Sequence, residues 1–458
     1  MDRRKFLQTS ALATAAVSTP ELACAALQAE DRAGKLPQRS YPPIPGPFRL
    51  PPEWYQANTR RFQKRLAESG LHGAVVTSSD NIDYLTGAFA TTTEREIWLF
   101  VPAQGEPSIF YPGLDRDLWQ TWWVKDGEWY FDYDHSGPFN QIVYEPGPKV
   151  DLFAWMLQGL IKRGHGERVI GFEKLSDSEQ QTVAKLAPRM KADRGSVGKV
   201  LLHMRMVKTP EEIALCRVSI ELHDRMLEFG RDYILTHGTS ATDFEVEHAT
   251  KEWGTHHLMQ YLKLDGKPHT GVGVNVGFAC RTGIATAYPH PNQFFYEKIK
   301  RGDSLQISIW GRVGGYGGEG YRAMQILPAS GKVDPLREKV WDVHTQMTLK
   351  QQQLMKAGTK CNVVGAGVLK LARDAGLEKF IYHRPAHGEG AEGHQAPYLS
   401  LGNNEVLEEN MTFSNEPGLY SPEHGFGYNH SNLVRVTAKG GEQMNRTPLT
   451  KEWCWIKI

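Results

Sequence analysis

Four short segments in the second half of the chain place histidines and carboxylates beside glycines, and these residue types could do chemistry. They are residues 288–291, 314–322, 383–394 and 414–420. Glycine lets a backbone approach a ligand closely, imidazole titrates near neutral pH, and carboxylates attract cations. The segments therefore indicate a site that handles protons or cations on a small molecule or peptide.

Two α/β domains are expected to position these segments. In the first domain, residues 54–69 suit a helix, and residues 81–87 contain turn-forming types that we expect to close the first βα unit. Four apolar runs predict buried strands at residues 73–77, 98–101, 108–110 and 168–172.

The second domain is predicted to open with a long helix. Thr209 can cap it, Pro210 suits its first turn, and Glu212 completes a capping box. Apolar residues then recur at helical spacing at Ile213, Cys216, Ile220 and Leu227. The predicted organisation is a signal at residues 1–29, a proline-rich arm at 30–52, a first domain at 53–200 and a second at 201–458.

Composition supports two domains and narrows the partners. The chain has 458 residues, 40% of them hydrophobic, which is enough for two cores. Lys and Arg number 53 against 52 Asp and Glu, so no excess positive charge points to nucleic acid or anionic lipid. We therefore expect a small-molecule or peptide substrate, and no membrane span once the signal is removed.

The N-terminus resembles a twin-arginine export signal. Arg3 and Arg4 precede Phe6-Leu7, a short Ala-rich stretch and the small-residue triplet at 23–25. The expected location is the periplasm. The following segment, residues 37–52, contains seven prolines, which favours an extended arm over a helix.

Six motifs in register make the chain similar to the pita-bread family of creatinase, aminopeptidase P and prolidase. The motifs are residues 206–213, the His290 segment, Gly302-Asp303, the Glu319 segment, His387 with His394, and residues 416–418. The resemblance implies an α/β fold in which a smaller creatinase-like N-terminal domain precedes an α+β pita-bread domain, and it implies a homodimer.

The resemblance also implies where the family's metal ligands fall, and two positions have lost them. The family's first Asp falls on Ser308 and its final Glu on Ser431, whereas Glu319, His387 and Glu416 occupy the other three positions. Two divalent ions carry a charge of +4, and two carboxylates cannot neutralise it. We therefore expect no catalytic metal, with one divalent ion (Fe, Mn or Zn) on Glu319, His387 and Glu416 as the alternative.

These departures favour a non-peptidase branch near creatinase and the dimethylsulfoniopropionate lyase. The expected function is acid/base hydrolysis or elimination on a small organic substrate, cationic or aromatic, with C–N, C–S and C–C cleavage all open. One alternative is an Xaa-Pro-type metallopeptidase with a single metal, and another is a non-catalytic binding protein.

The candidate catalytic residues follow from this interpretation. Glu319 and Glu416 would bind or polarise the substrate, while His290 and His387 would move protons. His290 could instead cap a loop, Arg322 could be a structural ion-pair partner, and His430 could only pack. The candidate substrate-binding residues are His383, His394, Arg322, Tyr316 and His430.

Overall fold

The computed structural model describes residues 39–90, 93–131, 151–262, 273–291 and 296–458. The predicted signal, residues 1–29, and the start of the predicted arm lie outside the described residues. None of the described helices is both long and apolar enough to cross a bilayer.

A six-stranded sheet in the order β4-β3-β2-β1-β5-β6 forms the N-terminal domain. Its strands are β1 Gly73–Val76, β2 Trp98–Pro102, β3 Ser108–Pro112, β4 Asp126–Tyr130, β5 Val169–Phe172 and β6 Lys191–Asp193. Its helices are α1 Pro52–Glu68, α2 Ser79–Thr86, α3 Arg116–Trp119, α4 Leu152–Lys162, α5 Asp177–Leu186 and α6 Ser196–Met206. The four predicted strands and the predicted first helix are present.

Helices cover both faces of this sheet, which explains its continuous apolar strands. Val76 of β1 packs with Phe62 of α1 on one face, and the neighbouring Val75 packs with Met156 of α4 on the other. Because both faces are buried, the strands show no polar alternation in sequence.

The predicted turn at residues 81–87 is wrong, since most of it lies in the helix α2. The Ser78 side chain accepts a hydrogen bond from the Asn81 backbone N–H and caps the helix. Ile82 and Leu85 then point into the core. The helix ends at Gly87, whose φ of 66° is left-handed.

Helix α6 crosses the predicted boundary at residue 200 and packs with the N-terminal domain. Its buried residues Val197, Leu201 and Met204 belong to the same core cluster as Phe62. The chain then enters α7 Pro210–His237, where Thr209 and Glu212 form the predicted capping box. The long helix predicted from this motif is confirmed.

The second domain contains two curved sheets and a hairpin. The first sheet has the order β17-β9-β8-β7, the second has the order β11-β10-β12-β15-β16, and β13 pairs with β14. The first sheet consists of β7 Asn275–Thr282, β8 Ser304–Val313, β9 Tyr316–Ile326 and β17 Trp455–Ile456. The remaining strands are β10 Ala386–Gly388, β11 Gln395–Tyr398, β12 Thr412–Asn415, β13 Leu419–Ser421, β14 Phe426–Tyr428, β15 Asn432–Val436 and β16 Gly441–Gln443.

Long helices back each sheet of this domain. They are α7, α8 Asp243–Met259, α9 Pro335–Leu354 and α10 Cys361–Asp374, with a short α11 Lys451–Cys454 near the end. Leu222 of α7 shares a core with Ile307 of β8, while Val340 of α9 shares one with Phe413 of β12. A backbone bridge between Tyr321 and Ser431 joins the two sheets beside the candidate site.

The described part of the proline-rich arm lies along α7. Arg39 forms an ion pair with Asp232, and the Pro42 carbonyl accepts a hydrogen bond of 2.7 Å from Arg225. Ile44 is 4% exposed and belongs to the core beneath α7. The arm is therefore anchored to the second domain before the chain enters the first.

Candidate functional site

Strands β8 and β9 bring Glu319 to the centre of the site. In their antiparallel register, Glu319 lies opposite Trp310, and Tyr321 lies opposite Ser308. Side chains of directly opposite residues lie on one face of a sheet, as do residues two apart along a strand. All four side chains therefore share a face. Glu319 is 9% exposed, so its carboxylate is nearly removed from solvent.

The second sheet brings histidines and another carboxylate to Glu319. The Nε2 atom of His387, in β10, lies 3.7 Å from Glu319 Oε2 and 3.3 Å from Oε1 of Glu416, which follows β12. Nε2 of His394 lies 3.6 Å from Glu319 Oε1. The two imidazole rings stack with centroids 3.9 Å apart. We call these side chains the Glu/His cluster: Glu319, His387, His394 and Glu416.

The cluster attracts positive charge strongly. Burial lowers the pKa of His387, but contact with the carboxylates of Glu319 and Glu416 outweighs it and raises that pKa to about 11. Burial likewise raises the pKa of Glu319, yet His387 and His394 hold it below its usual range. A bound cation would satisfy the same electrostatic demand.

The hydrogen bonding of His387 suits a metal ligand. Its Nδ1–H donates to the Gly388 carbonyl at 3.1 Å, which fixes the tautomer. Its Nε2 is buried and has no hydrogen-bond partner within the described residues, although two carboxylates face it. Ligand atoms of Glu319, His387 and His394 all lie within 4.8 Å of one another. The residues present therefore fit one divalent ion.

The serine hydroxyls at the two lost ligand positions form hydrogen bonds with neighbouring side chains. Ser308 Oγ accepts from Gln306 Nε2 at 2.9 Å. Ser414 Oγ donates to Glu319 Oε2 at 3.0 Å and lies 2.9 Å from Ser431 Oγ. Ser414 thus orients Glu319, and the hydroxyls of Ser308 and Ser431 add no negative charge in place of the missing carboxylates.

A further carboxylate, Glu389, was missed by the sequence reasoning. It is 3% exposed and accepts a hydrogen bond of 3.0 Å from the Glu319 backbone N–H. Burial, together with the Glu319 charge, raises its pKa well above the ordinary value. Its position two residues after His387 was the available signal, because side chains two apart along an extended chain share a face.

Two other predicted residues lie outside the Glu/His cluster. His383 Nε2 lies 3.1 Å from the Tyr420 hydroxyl. The pKa of Tyr420 is raised by burial and by the charge of Glu416, which places the tyrosine near the cluster. His290 lies in an exposed segment after the turn Gly283–Ala287, and the contacts that join the cluster do not include it.

Arg322, Tyr316 and His430 were predicted to bind substrate, and the structure places them in the interior instead. Arg322 is fully buried and donates to several acceptors, including the Ser431 carbonyl at 2.9 Å, and burial lowers its pKa to about 10. Tyr316 donates to Glu212 at 2.8 Å. His430 accepts from a β9 backbone N–H at 3.1 Å. The three side chains are buried and hydrogen-bonded within the fold, and their predicted contact with substrate stays a prediction.

A cavity of about 910 Å³ lies between the N-terminal domain and the cluster. Asp80 and Glu173 line it from the first domain, and Glu392, His394 and Tyr398 line it from the second. His394 belongs to both the cavity and the Glu/His cluster. A molecule held between the domains therefore reaches the cluster through His394.

Comparison with solved structures gives the same fold along about nine-tenths of the chain. Dipeptidase PepE from Mycobacterium ulcerans superposes with a TM-score of 0.71 and 22% identity, covering 90% of this chain and 100% of that one. A recombinant prolidase from Thermococcus sibiricus gives 0.70 and 19%, covering 88% and 99%. The predicted pita-bread fold with a creatinase-like N-terminal domain is confirmed.

Sequence relatives carry peptidase names. A putative dipeptidase, YkvY of Bacillus subtilis, is 24% identical over 393 residues, which is 85% of this chain and 97% of the relative. The Xaa-Pro dipeptidase of Lactobacillus delbrueckii subsp. lactis is 24% identical over 374 residues, 80% and 90% of the two chains.

Two predictions are therefore wrong. The peptidase names of the relatives contradict a non-peptidase hydrolase or lyase of the creatinase and dimethylsulfoniopropionate lyase branch. The similarity to a metallopeptidase family, together with the Glu319, His387 and His394 ligand group, contradicts a site without a metal cofactor. Counting charges argued against two ions but gave no reason to exclude one.

Two adjoining segments of the chain match family models. Residues 59–207 match the creatinase/prolidase N-terminal domain, and residues 214–438 match metallopeptidase family M24. The chain is thus similar to a creatinase/prolidase N-terminal domain in its first part and to metallopeptidase family M24 in its second.

Proposed function

We propose that this chain is a dipeptidase, active on Xaa-Pro and related dipeptides, that works with one divalent metal ion. The observation that carries the proposal is the buried Nε2 of His387, which faces Glu319 and Glu416 and has no hydrogen-bond partner in the described part of the chain. The dipeptidase names of relatives matched over most of their length support the reaction class.

The charge balance supports one ion in preference to two. Glu319 and Glu416 supply two negative charges, which match one divalent cation. A second ion would leave two uncompensated positive charges in a buried site, which is costly.

In the proposed mechanism, Glu319, His387 and Glu416 would hold the ion, and Ser414 fixes the Glu319 carboxylate. The ion would supply Lewis-acid chemistry for hydrolysis of the peptide bond. As a metal ligand His387 would be neutral, with its Nδ1–H donating to the Gly388 carbonyl. His394 is about half exposed and lies at the cavity, so its Nε2 can carry a proton to the departing amine.

Metal analysis and peptide cleavage test this function together. Purified chain should contain one equivalent of Mn, Fe or Zn, cleave Ala-Pro and Ala-Ala, lose activity with a chelator and regain it with Mn²⁺. Glu319→Gln should lose both metal and activity. The matched control Glu378→Gln alters an exposed carboxylate of the same domain and should change neither. Full dipeptide cleavage by metal-free chain, or no cleavage by metal-loaded chain, would refute the proposal.

Export and assembly remain predictions from the sequence. We propose a twin-arginine signal, a periplasmic location and a homodimer, and twin-arginine export suits an enzyme that folds around its metal before transport. Arg3→Lys with Arg4→Lys should keep the chain in the cytoplasm, and light scattering on purified protein measures the subunit count.

A further inference from the structure

Trp310 is an exposed aromatic residue on a strand that is otherwise largely buried. Its side chain is 40% exposed, whereas the residues from Ser304 to Ile309 on the same strand are all buried. An exposed indole costs free energy in water, because its apolar surface stays hydrated. The exposed indole is therefore expected to be covered by another molecule.

The register of the sheet places this indole beside the Glu/His cluster. Trp310 lies directly opposite Glu319 in the antiparallel pair. The Cβ atoms of such a pair are about 5 Å apart and their side chains share one face. A peptide whose carbonyl approaches the ion held by Glu319 would therefore lie within reach of the indole.

Gly277 makes room for the indole on the neighbouring strand. It pairs with Trp310 across β7 and β8. A Cβ at position 277 would lie 2.2 Å from the Trp310 Nε1 atom, so the indole would have to move. The φ of Gly277 is not positive, so its backbone does not require glycine. The space left for the ring is thus the structural reason for glycine here.

We propose that Trp310 forms the wall of a subsite that takes a bulky apolar or aromatic side chain of the substrate next to the scissile bond. The inference rests on the proposed dipeptidase function and deepens it by naming the substrate class. The indole stacks on an aromatic side chain or covers an aliphatic one, and Gly277 keeps the ring flat against β7.

The test compares Trp310→Ala and Trp310→Phe with wild type on Phe-Ala, Ala-Phe and Ala-Ala. Trp310→Ala should raise KM about 10- to 60-fold for one or both phenylalanine dipeptides, because the exposed apolar area of the indole is no longer available to contact the substrate. KM for Ala-Ala, kcat and the metal content should stay near wild type. Trp310→Phe should recover most of the affinity, and Leu114→Ala, at an exposed apolar residue of the first domain, should behave as wild type.

Calorimetry with chelated, inactive protein gives a readout that does not depend on turnover. Phe-Ala or Ala-Phe should bind Trp310→Ala more weakly by a similar factor, while Ala-Ala binding is unchanged. Equal effects on all three dipeptides, or no effect on any, would overturn the subsite while leaving the dipeptidase function intact. If wild type with metal cleaves none of them, the proposed function fails and the subsite fails with it.

Discussion

His344 should make the stability of the protein depend on pH below neutrality. It lies in α9 with no exposed surface. Its Nδ1–H donates to the Trp341 carbonyl at 2.9 Å, and its Nε2 accepts from the His430 backbone N–H at 3.1 Å. Both nitrogens of the neutral ring therefore have hydrogen-bond partners. A second proton, on Nε2, would face the His430 backbone N–H and would have no acceptor there.

The size of the effect follows from the pKa change on folding. Burial lowers the pKa of His344 from 6.5 to about 3. Between pH 6.5 and pH 3 the unfolded chain therefore binds a proton that the folded chain does not bind. The free energy of unfolding consequently falls as pH falls through this window. The loss attributable to His344 is about 2 kcal/mol between pH 7 and pH 5, and about 5 kcal/mol once pH is below 3.

Urea unfolding of wild type and His344→Gln at pH 7 and pH 5 measures this loss. Glutamine can still donate and accept but does not titrate, so the variant should be less stable at pH 7 and should approach or pass wild type at pH 5. The exposed His256→Gln is the matched control and should keep a constant difference from wild type. A constant stability difference between His344→Gln and wild type at both pH values would refute the reasoning.

Other substitutions test the site and its support. Ser308→Asp with Ser431→Glu should raise metal content from one to two equivalents, measured by mass spectrometry, because two added carboxylates balance a second ion; a stoichiometry still at one would contradict the charge argument. His387→Ala should reduce bound metal below a tenth of an equivalent at micromolar metal while far-UV circular dichroism stays unchanged. Arg322→Met should cost about 3 kcal/mol in urea unfolding, because it leaves buried carbonyls without donors, and metal content per folded chain should not change.

Local rules in the sequence predicted much of the fold. The capping box of Thr209 and Glu212 forms as expected, since it needs only neighbouring residues. Residues 81–87 were mistaken for a turn because their polar residue types suit turns. The Ser78 cap and the burial of Ile82 stabilise a helix there instead. Burial of this kind depends on the rest of the domain and is not visible locally.

The candidate site was likewise predicted in part from the sequence. Glu319, His387 and Glu416 converge as the resemblance implied. The sequence identified residues 314–322 only as a segment that places a carboxylate beside glycines, whereas Tyr316–Ile326 form the strand β9. In a strand, an odd spacing puts side chains on opposite faces, so Tyr316 and Arg322 point away from Glu319. The spacing of these residues is visible in the sequence, but it assigns them to a face only once the segment is known to be a strand.

The anchored arm means that the two domains cannot be separated by cutting the chain between them. A fragment that begins at Thr209 contains the described strands of the second domain but lacks Ile44, which lies in the core with Val218 and Leu222. It also removes the ion pair between Arg39 and Asp232. Such a fragment would expose an apolar hole along α7, so residues 39–44 are as much a part of the second domain as the strands that follow Thr209.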